Sequence, residues 1–96
     1  MNGAGGREFG KLTWPEAREL FQRDPVALLP VGATEAHGPH LPLDTDVTIA
    51  RAQARRAAEM IEERRVPAFV IPPVSYTLAQ FAFGFAGTIT VRPTTL

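Results

Sequence analysis

Pro30-Val31-Gly32-Ala33-Thr34-Glu35-Ala36-His37-Gly38-Pro39-His40-Leu41-Pro42-Leu43-Asp44-Thr45-Asp46 gathers both histidines of the chain and three of its ten carboxylates. Two glycines and three prolines interleave them, so the backbone turns repeatedly and follows neither a helix nor a long strand. An apolar segment, Val26 to Leu29, comes before this loop, and a helical pattern follows it. Open α/β sheets present their chemistry in this way, on a rigid loop after a buried strand. The loop therefore reads as half of a metal site.

Working outward, Val26-Ala27-Leu28-Leu29-Pro30-Val31 is apolar at every position, which suits a parallel strand buried on both faces. After the loop, Val47, Ala50, Ala54, Ala57 and Ile61 recur at helical spacing and predict a helix from about Asp46 to Arg64. Its alanines allow close approach to a sheet. Arg51, Arg55, Glu59, Glu62 and Glu63 fall off that stripe as a solvated face, where Arg55 and Glu59 can pair. Pro67-Ala68-Phe69-Val70-Ile71-Pro72 is a second apolar strand. Strand, helix, strand predicts a right-handed βαβ unit with parallel strands, and so an α/β fold.

Nearer the start, Thr13-Trp14-Pro15-Glu16 matches a capping box with proline in the first turn. That helix is expected to reach about Arg23, burying Trp14, Ala17, Leu20 and Phe21, and to stop at Asp24-Pro25. Residues 1–12 read as a disordered lead and 13–96 as the folded part. From Pro73 to Ala86 the chain is rich in aromatics without a clear period, and Gly87-Thr88-Ile89-Thr90-Val91 reads as a further strand.

Ninety-six residues make one small domain, burying only about 60–65% of its unfolded surface. With 45% hydrophobic and 21% charged residues the chain is globular in composition, not disordered. Ten basic residues balance ten acidic ones, which leaves no electrostatic footprint for nucleic acid or an anionic membrane. Without cysteine there is neither a disulfide framework nor a thiolate ligand, and a reducing cytosol is the default compartment. The first ten residues lack the apolar core of a signal peptide, and the longest apolar run is far short of a bilayer span. A soluble, cytoplasmic protein is expected.

Glu35 and His37 are separated by one residue, and Asp46 stands where the loop enters the helix. Carboxylate oxygen with imidazole nitrogen suits Zn²⁺, Mn²⁺ or Fe²⁺, and one carboxylate can bridge two ions. Asp46 equally suits the start of a helix, where it interacts well with the dipole. Glu35 also fits an exposed loop carboxylate, and His37 and His40 fit polar turn residues. Three ligands leave a two-metal site incomplete. After Asp46 the chain has no histidine, and its only carboxylates are Glu59, Glu62 and Glu63.

The run from Leu29 to Asp46 resembles the signature of the creatininase (creatinine amidohydrolase) family, and Gly87-Thr88-Ile89 resembles a second, weaker landmark of it. The resemblance implies a three-layer α/β/α fold and, at full length, a homo-oligomer. It also implies two divalent metal ions, commonly zinc or manganese, acting on a small-molecule substrate with a cyclic or linear amide bond. By position, Glu35 and His37 would each bind one metal and Asp46 would bridge both. His40 would steady the loop behind them. A metal-bound hydroxide would attack the amide carbonyl.

Two departures follow from the same comparison. Members take a further histidine, in a Gly-His motif, from a later segment that these residues do not include. Members also often carry a Ser or Asn and a Glu-His pair just before the Gly-Thr landmark, where this chain has Ala79-Gln80-Phe81-Ala82-Phe83. The expectation is an N-terminal portion of a metal-dependent amidohydrolase, inactive by itself, and the apolar segment argues against creatinine and against any peptide or formamide substrate recognised through those groups. The rival is a non-catalytic metal- or protein-binding module that keeps the loop for its structure.

Overall fold

A computed structural model describes residues 8–94. The chain divides into two compact units, one from residues 1–30 and 52–72 and the other from 31–51 and 73–96. No helix among the described residues is long and apolar enough to cross a membrane.

In the first unit, helix α1 runs Trp14–Phe21. Its capping box closes as the sequence predicts. The Thr13 hydroxyl accepts from the Glu16 amide at 3.4 Å, and the Glu16 carboxylate accepts from the Thr13 amide at 2.8 Å. Those bonds, the backbone one first, hold the Glu16 carboxyl below the usual range. Beyond α1, Asp24 takes a positive φ of 53° and Pro25 prevents any return to helix.

Strand β1, Val26–Leu28, pairs in parallel with β2, Ala68–Val70, in the register Val26 to Ala68, Ala27 to Phe69 and Leu28 to Val70. Helix α2, Thr45–Glu63, lies between them in the chain, so the predicted strand–helix–strand order and the parallel pairing both hold. The part of α2 within this unit meets the sheet through small residues. Ala58, Ala68 and Val70 are buried together, with Leu28, Ala54 and Ile61 packed against them. Ala58 joins the expected stripe from the adjacent position, which widens the contact.

Four expectations for this unit are corrected. The lead is not disordered throughout: Glu8 bridges to Val70, residues Phe9–Lys11 form a 3-10 turn, and only residues 1–7 of it lie outside the described residues. The cause is aromatic packing, for the Phe9 ring lies 4.9 Å from Phe69 and 5.7 Å from Phe21. Strand β1 is shorter than expected and is not buried on both faces, since Val26 and Leu29 are exposed. A two-stranded sheet supplies no more cover than that.

Helix α1 buries Leu20 completely but leaves Trp14 71% exposed, with the Arg18 guanidinium 5.0 Å from its ring instead of a core around it. Phe21 is half exposed although it joins the phenylalanine cluster. Lastly, Glu59 pairs with Arg56 at 3.2 Å rather than with Arg55, whose guanidinium reaches Glu8 at 3.2 Å.

In the second unit, Val31 bridges to Val74 and Thr77 to Thr90, both in parallel. The strand expected over 87–91 is reduced to that one bridge residue. Gly87 turns with φ 90°, Ile89 donates to the Thr34 carbonyl and Val91 to that of Thr77, so no single neighbour receives a continuous ladder. A 3-10 turn, Gln80–Ala82, lies in the aromatic stretch.

Two substitutions test this account. Leu20→Ala is expected to cost about 2–4 kcal/mol, because the side chain is wholly enclosed. Thr13→Ala is expected to cost about 1 kcal/mol through loss of the cap. Urea unfolding followed by circular dichroism reads both, and a Leu20→Ala chain as stable as the parent contradicts the packing described.

Candidate metal site

Within the second unit, the loop from Gly32 to Thr45 is fixed by its own backbone before any ligand is considered. Gly32 donates to the Val74 carbonyl at 3.0 Å, and Glu35 donates to that of Leu43 at 3.1 Å. The Thr34 hydroxyl donates to the Ser75 carbonyl at 2.8 Å. The Ala36 amide, between the two ligand-type residues, donates to the buried Thr88 hydroxyl at 2.9 Å. His37 and Leu41 form an antiparallel bridge around a turn in which Gly38 has φ 70°, a conformation that suits glycine. The Thr45 hydroxyl donates to the Pro42 carbonyl at 2.6 Å as the loop enters α2.

Gly32 sets the approach to that helix. A Cβ there would stand 2.6 Å from the Val47 nitrogen and 2.7 Å from the Asp46 carbonyl carbon, both backbone atoms that cannot swing aside. Only glycine lets the loop lie this close to the first turn of α2, where Asp46 sits.

Glu35, His37 and Asp46 are thereby brought together, each offering one donor atom with all three atoms within 4.8 Å of one another. No other such group of three or more occurs among the described residues. His37 Nε2 is 3.4 Å from Asp46 Oδ1. Glu35 is buried, and its Oε2 has no hydrogen-bond partner.

Burial raises the Glu35 carboxyl above the usual carboxylate range, with the hydrogen bond that its protonated form donates to Asp46 and the charge of Asp46 adding to the rise and His37 opposing it. A buried acceptor without a donor is costly. A divalent cation would satisfy it and turn the repulsion between two carboxylates into shared attraction. The donor set, two carboxylates and an imidazole, suits such an ion. His40 is exposed and outside this group, its ring lying back against Gly38.

Residues 10–96 match the creatininase family, described as creatinine amidohydrolase. The chain belongs to the creatininase family. Among its relatives, the mycofactocin precursor peptide peptidase of Mycolicibacterium smegmatis is 44% identical over 79 residues, covering 78% of this chain and 31% of that protein. The creatinine amidohydrolase of Pseudomonas putida is 40% identical over 68 residues, covering 70% of this chain and 24% of that protein. A solved structure named "Creatininase Mn" superposes with a TM-score of 0.78 at 34% identity, covering 91% of this chain and 34% of that one. The chain thus spans about a quarter to a third of the length of these relatives. Its α/β fold, expected from the strand and helix pattern, is that of creatininase.

Residue patterns alone did not single out Gly32, Thr34 or Thr88 as parts of this creatininase-family loop. Thr88 did carry a signal, since it belongs to the Gly87-Thr88-Ile89 landmark. In the folded chain the Thr88 hydroxyl of that landmark holds the amide between Glu35 and His37.

Gly32→Ala is expected to spread the loop from α2 and to weaken binding of added Mn²⁺ by at least tenfold, on the order of the loss caused by disturbing residues that orient ligands. Titration calorimetry measures it, and unchanged affinity in a folded variant contradicts the close approach. The metal-free chain is expected to lose stability as pH rises. With its folded-state pKa raised, protonated Glu35 contributes stability that is complete below the ordinary carboxylate range and is lost as pH passes through the raised value. Urea midpoints from about pH 4 to pH 7, with Glu35→Gln as the variant lacking this slope, give the measurement.

Proposed function

We propose that these residues form part of the dinuclear metal centre of an amide hydrolase, with Glu35 and His37 each holding one divalent ion and Asp46 bridging the two. The observation that carries this reading is the convergence of three donors within 4.8 Å around a buried, unpartnered Glu35 oxygen. Support comes from the relatives, one named a peptide peptidase and another a creatinine amidohydrolase, since both names describe cleavage of an amide C–N bond. Zn²⁺ or Mn²⁺ is the ion of choice here. Similar structures are named "Creatininase Mn" and "mutant creatininase, Zn-Zn type". When bound, such ions polarise a carbonyl and activate water at neutral pH.

The chain's own groups prepare for that chemistry. Glu35 must release its proton to bind, so metal affinity rises with pH as the carboxyl ionises. Thr88 and the Leu43 carbonyl hold the backbone on either side of Glu35, which keeps its carboxylate from following solvent. Asp46, 34% exposed in its side chain, reaches both neighbours from the first turn of α2. His40, whose ring lies against Gly38, would steady that turn behind His37.

Each ion needs roughly four donors, counting water. Three side chains fall short of that, and we infer that the remaining protein donors come from outside the described residues. Residues 1–96 alone are therefore expected to bind Mn²⁺ weakly and to show no amidase turnover. Calorimetry with His37→Ala and Asp46→Asn is expected to show at least a tenfold further loss of affinity for either variant, on the scale of ligand-shell disruption. Unchanged binding in both variants, or Mn²⁺-dependent amide cleavage by residues 1–96 that survives His37→Ala, overturns the assignment.

A further inference from the structure

Residues 87–91 change neighbours part-way along, and side-chain hydroxyls bond on either side of the change. Ile89 donates to the Thr34 carbonyl at 2.8 Å, whereas Val91 donates to that of Thr77 at 3.2 Å. Before the change, the Thr88 hydroxyl accepts from the Ala36 amide at 2.9 Å. After it, the Thr90 hydroxyl accepts from the Ala79 amide at 3.0 Å. The two threonines make the same kind of bond, one to the donor loop and one away from it.

The bonds around Glu35 have a particular effect on its direction. The peptide group joining Thr34 to Glu35 is held at both ends, its carbonyl by Ile89 and its amide by the Leu43 carbonyl at 3.1 Å. Gly87, at φ 90°, lies against that same Leu43, since a Cβ there would stand 2.5 Å from Leu43 Cδ1. The next peptide group, joining Glu35 to Ala36, is held through its amide by Thr88. Peptide groups are planar, so fixing the two that flank a Cα fixes the φ and ψ of that residue and the direction of its side chain. Thr88 is suited to this, because its β-branched side chain is stiff and it is buried, while Thr90 is half-buried.

We propose that Thr88 is a positioning residue of the metal site. By holding the peptide plane between Glu35 and Ala36, its hydroxyl sets the angle at which Glu35 and His37 face a shared ion. The proposal rests on the metal reading for the ion, but the placement of the side chains is tested without one. The rival role is satisfaction of a backbone amide for stability alone, which is what Thr90 does for Ala79. Thr90→Val loses an equivalent bond without touching the donor loop, so the two threonines separate the roles. Coupling is reciprocal: if the Thr88 bond favours ion binding, ion binding favours that bond.

The test compares residues 1–96 with Thr88→Val, Thr88→Ser and Thr90→Val, using Zn²⁺ calorimetry, urea unfolding and NMR. Both valine variants are expected to lower the urea midpoint. Only Thr88→Val is expected to weaken Zn²⁺ binding, by at least about tenfold, the scale of losing a group that orients metal ligands. Thr88→Ser, which keeps the hydroxyl, is expected to restore most of that affinity. In the parent chain Zn²⁺ should slow hydrogen exchange of the Ala36 amide more than that of Ala79. Without metal, nuclear Overhauser contacts between the His37 ring and the Asp46 Cβ protons, expected from the 3.4 Å approach of these side chains, should persist in Thr90→Val and disappear in Thr88→Val. Should Thr88→Val not fold, Thr88→Cys, with sulfur as a weak acceptor, takes its place.

Unchanged Zn²⁺ affinity in Thr88→Val overturns the positioning role, as does an equal loss in Thr90→Val or no recovery in Thr88→Ser. So does a His37–Asp46 contact that survives in Thr88→Val. A parent chain that shows this contact, loses it only in Thr88→Val and binds no Zn²⁺ keeps the positioning role and defeats the metal reading instead, so the two fail separately.

Discussion

The backbone contact between Gly32 and the first turn of α2 is the constraint on which the site depends. At 2.6–2.7 Å from a would-be Cβ to main-chain atoms of Asp46 and Val47, no other residue fits without moving the loop or the helix. That contact converts a separation of nine residues, from His37 to Asp46, into 3.4 Å between their side chains. A loop joined to a helix only by its covalent connection would leave Asp46 to vary by several ångströms. Here the helix start, the loop and the Thr88 hydroxyl are fixed to one another by close packing and hydrogen bonds, so the three donor-type side chains are held together by the chain itself.

Preorganisation of this kind has an electrostatic cost, visible in Glu35. Its carboxyl is taken from water, set near another carboxylate and left with one oxygen unbonded. None of these features stabilises the chain. Local strain of this sort at a group that no structural role explains is a common mark of a functional site. The bland alternative, an exposed loop carboxylate, fails on burial alone, since Glu35 is only 8% exposed. Asp46 likewise sits inside the first turn of α2 rather than acting as its cap, while Thr45 bonds back to Pro42.

Much of this was legible in the residues because it depends on local rules. The capping box needs only Thr13 and Glu16, and the parallel pair of strands follows from two apolar runs separated by a helical period. The three donors stood out as ligand types on a loop broken by glycine and proline. What the sequence did not show was cover. The expected burial of Trp14, Val26 and Leu29 assumed more neighbouring surface than a two-stranded sheet and a thin core provide. Long-range partners were equally hidden: nothing in the pattern ties Phe9 to Phe69, or the Thr88 hydroxyl to the Ala36 amide 52 residues away.

Burial and exposure divide the aromatic residues by unit in a way that bears on their use. Phe9, Phe21 and Phe69 lie on one another in the first unit, with centroids 4.9–6.0 Å apart, and hold residues 8–11 against β2. Phe81, Phe83 and Phe85 in the second unit form no such ring pairs among the described residues and stay 84%, 63% and 66% exposed. They lie on and beside the 3-10 turn Gln80–Ala82, close in the chain to the Gly-Thr landmark that fixes the donor loop. The same segment that sets Thr88 against Ala36 also carries these rings, so the donor loop and the exposed apolar face depend on one stretch of backbone.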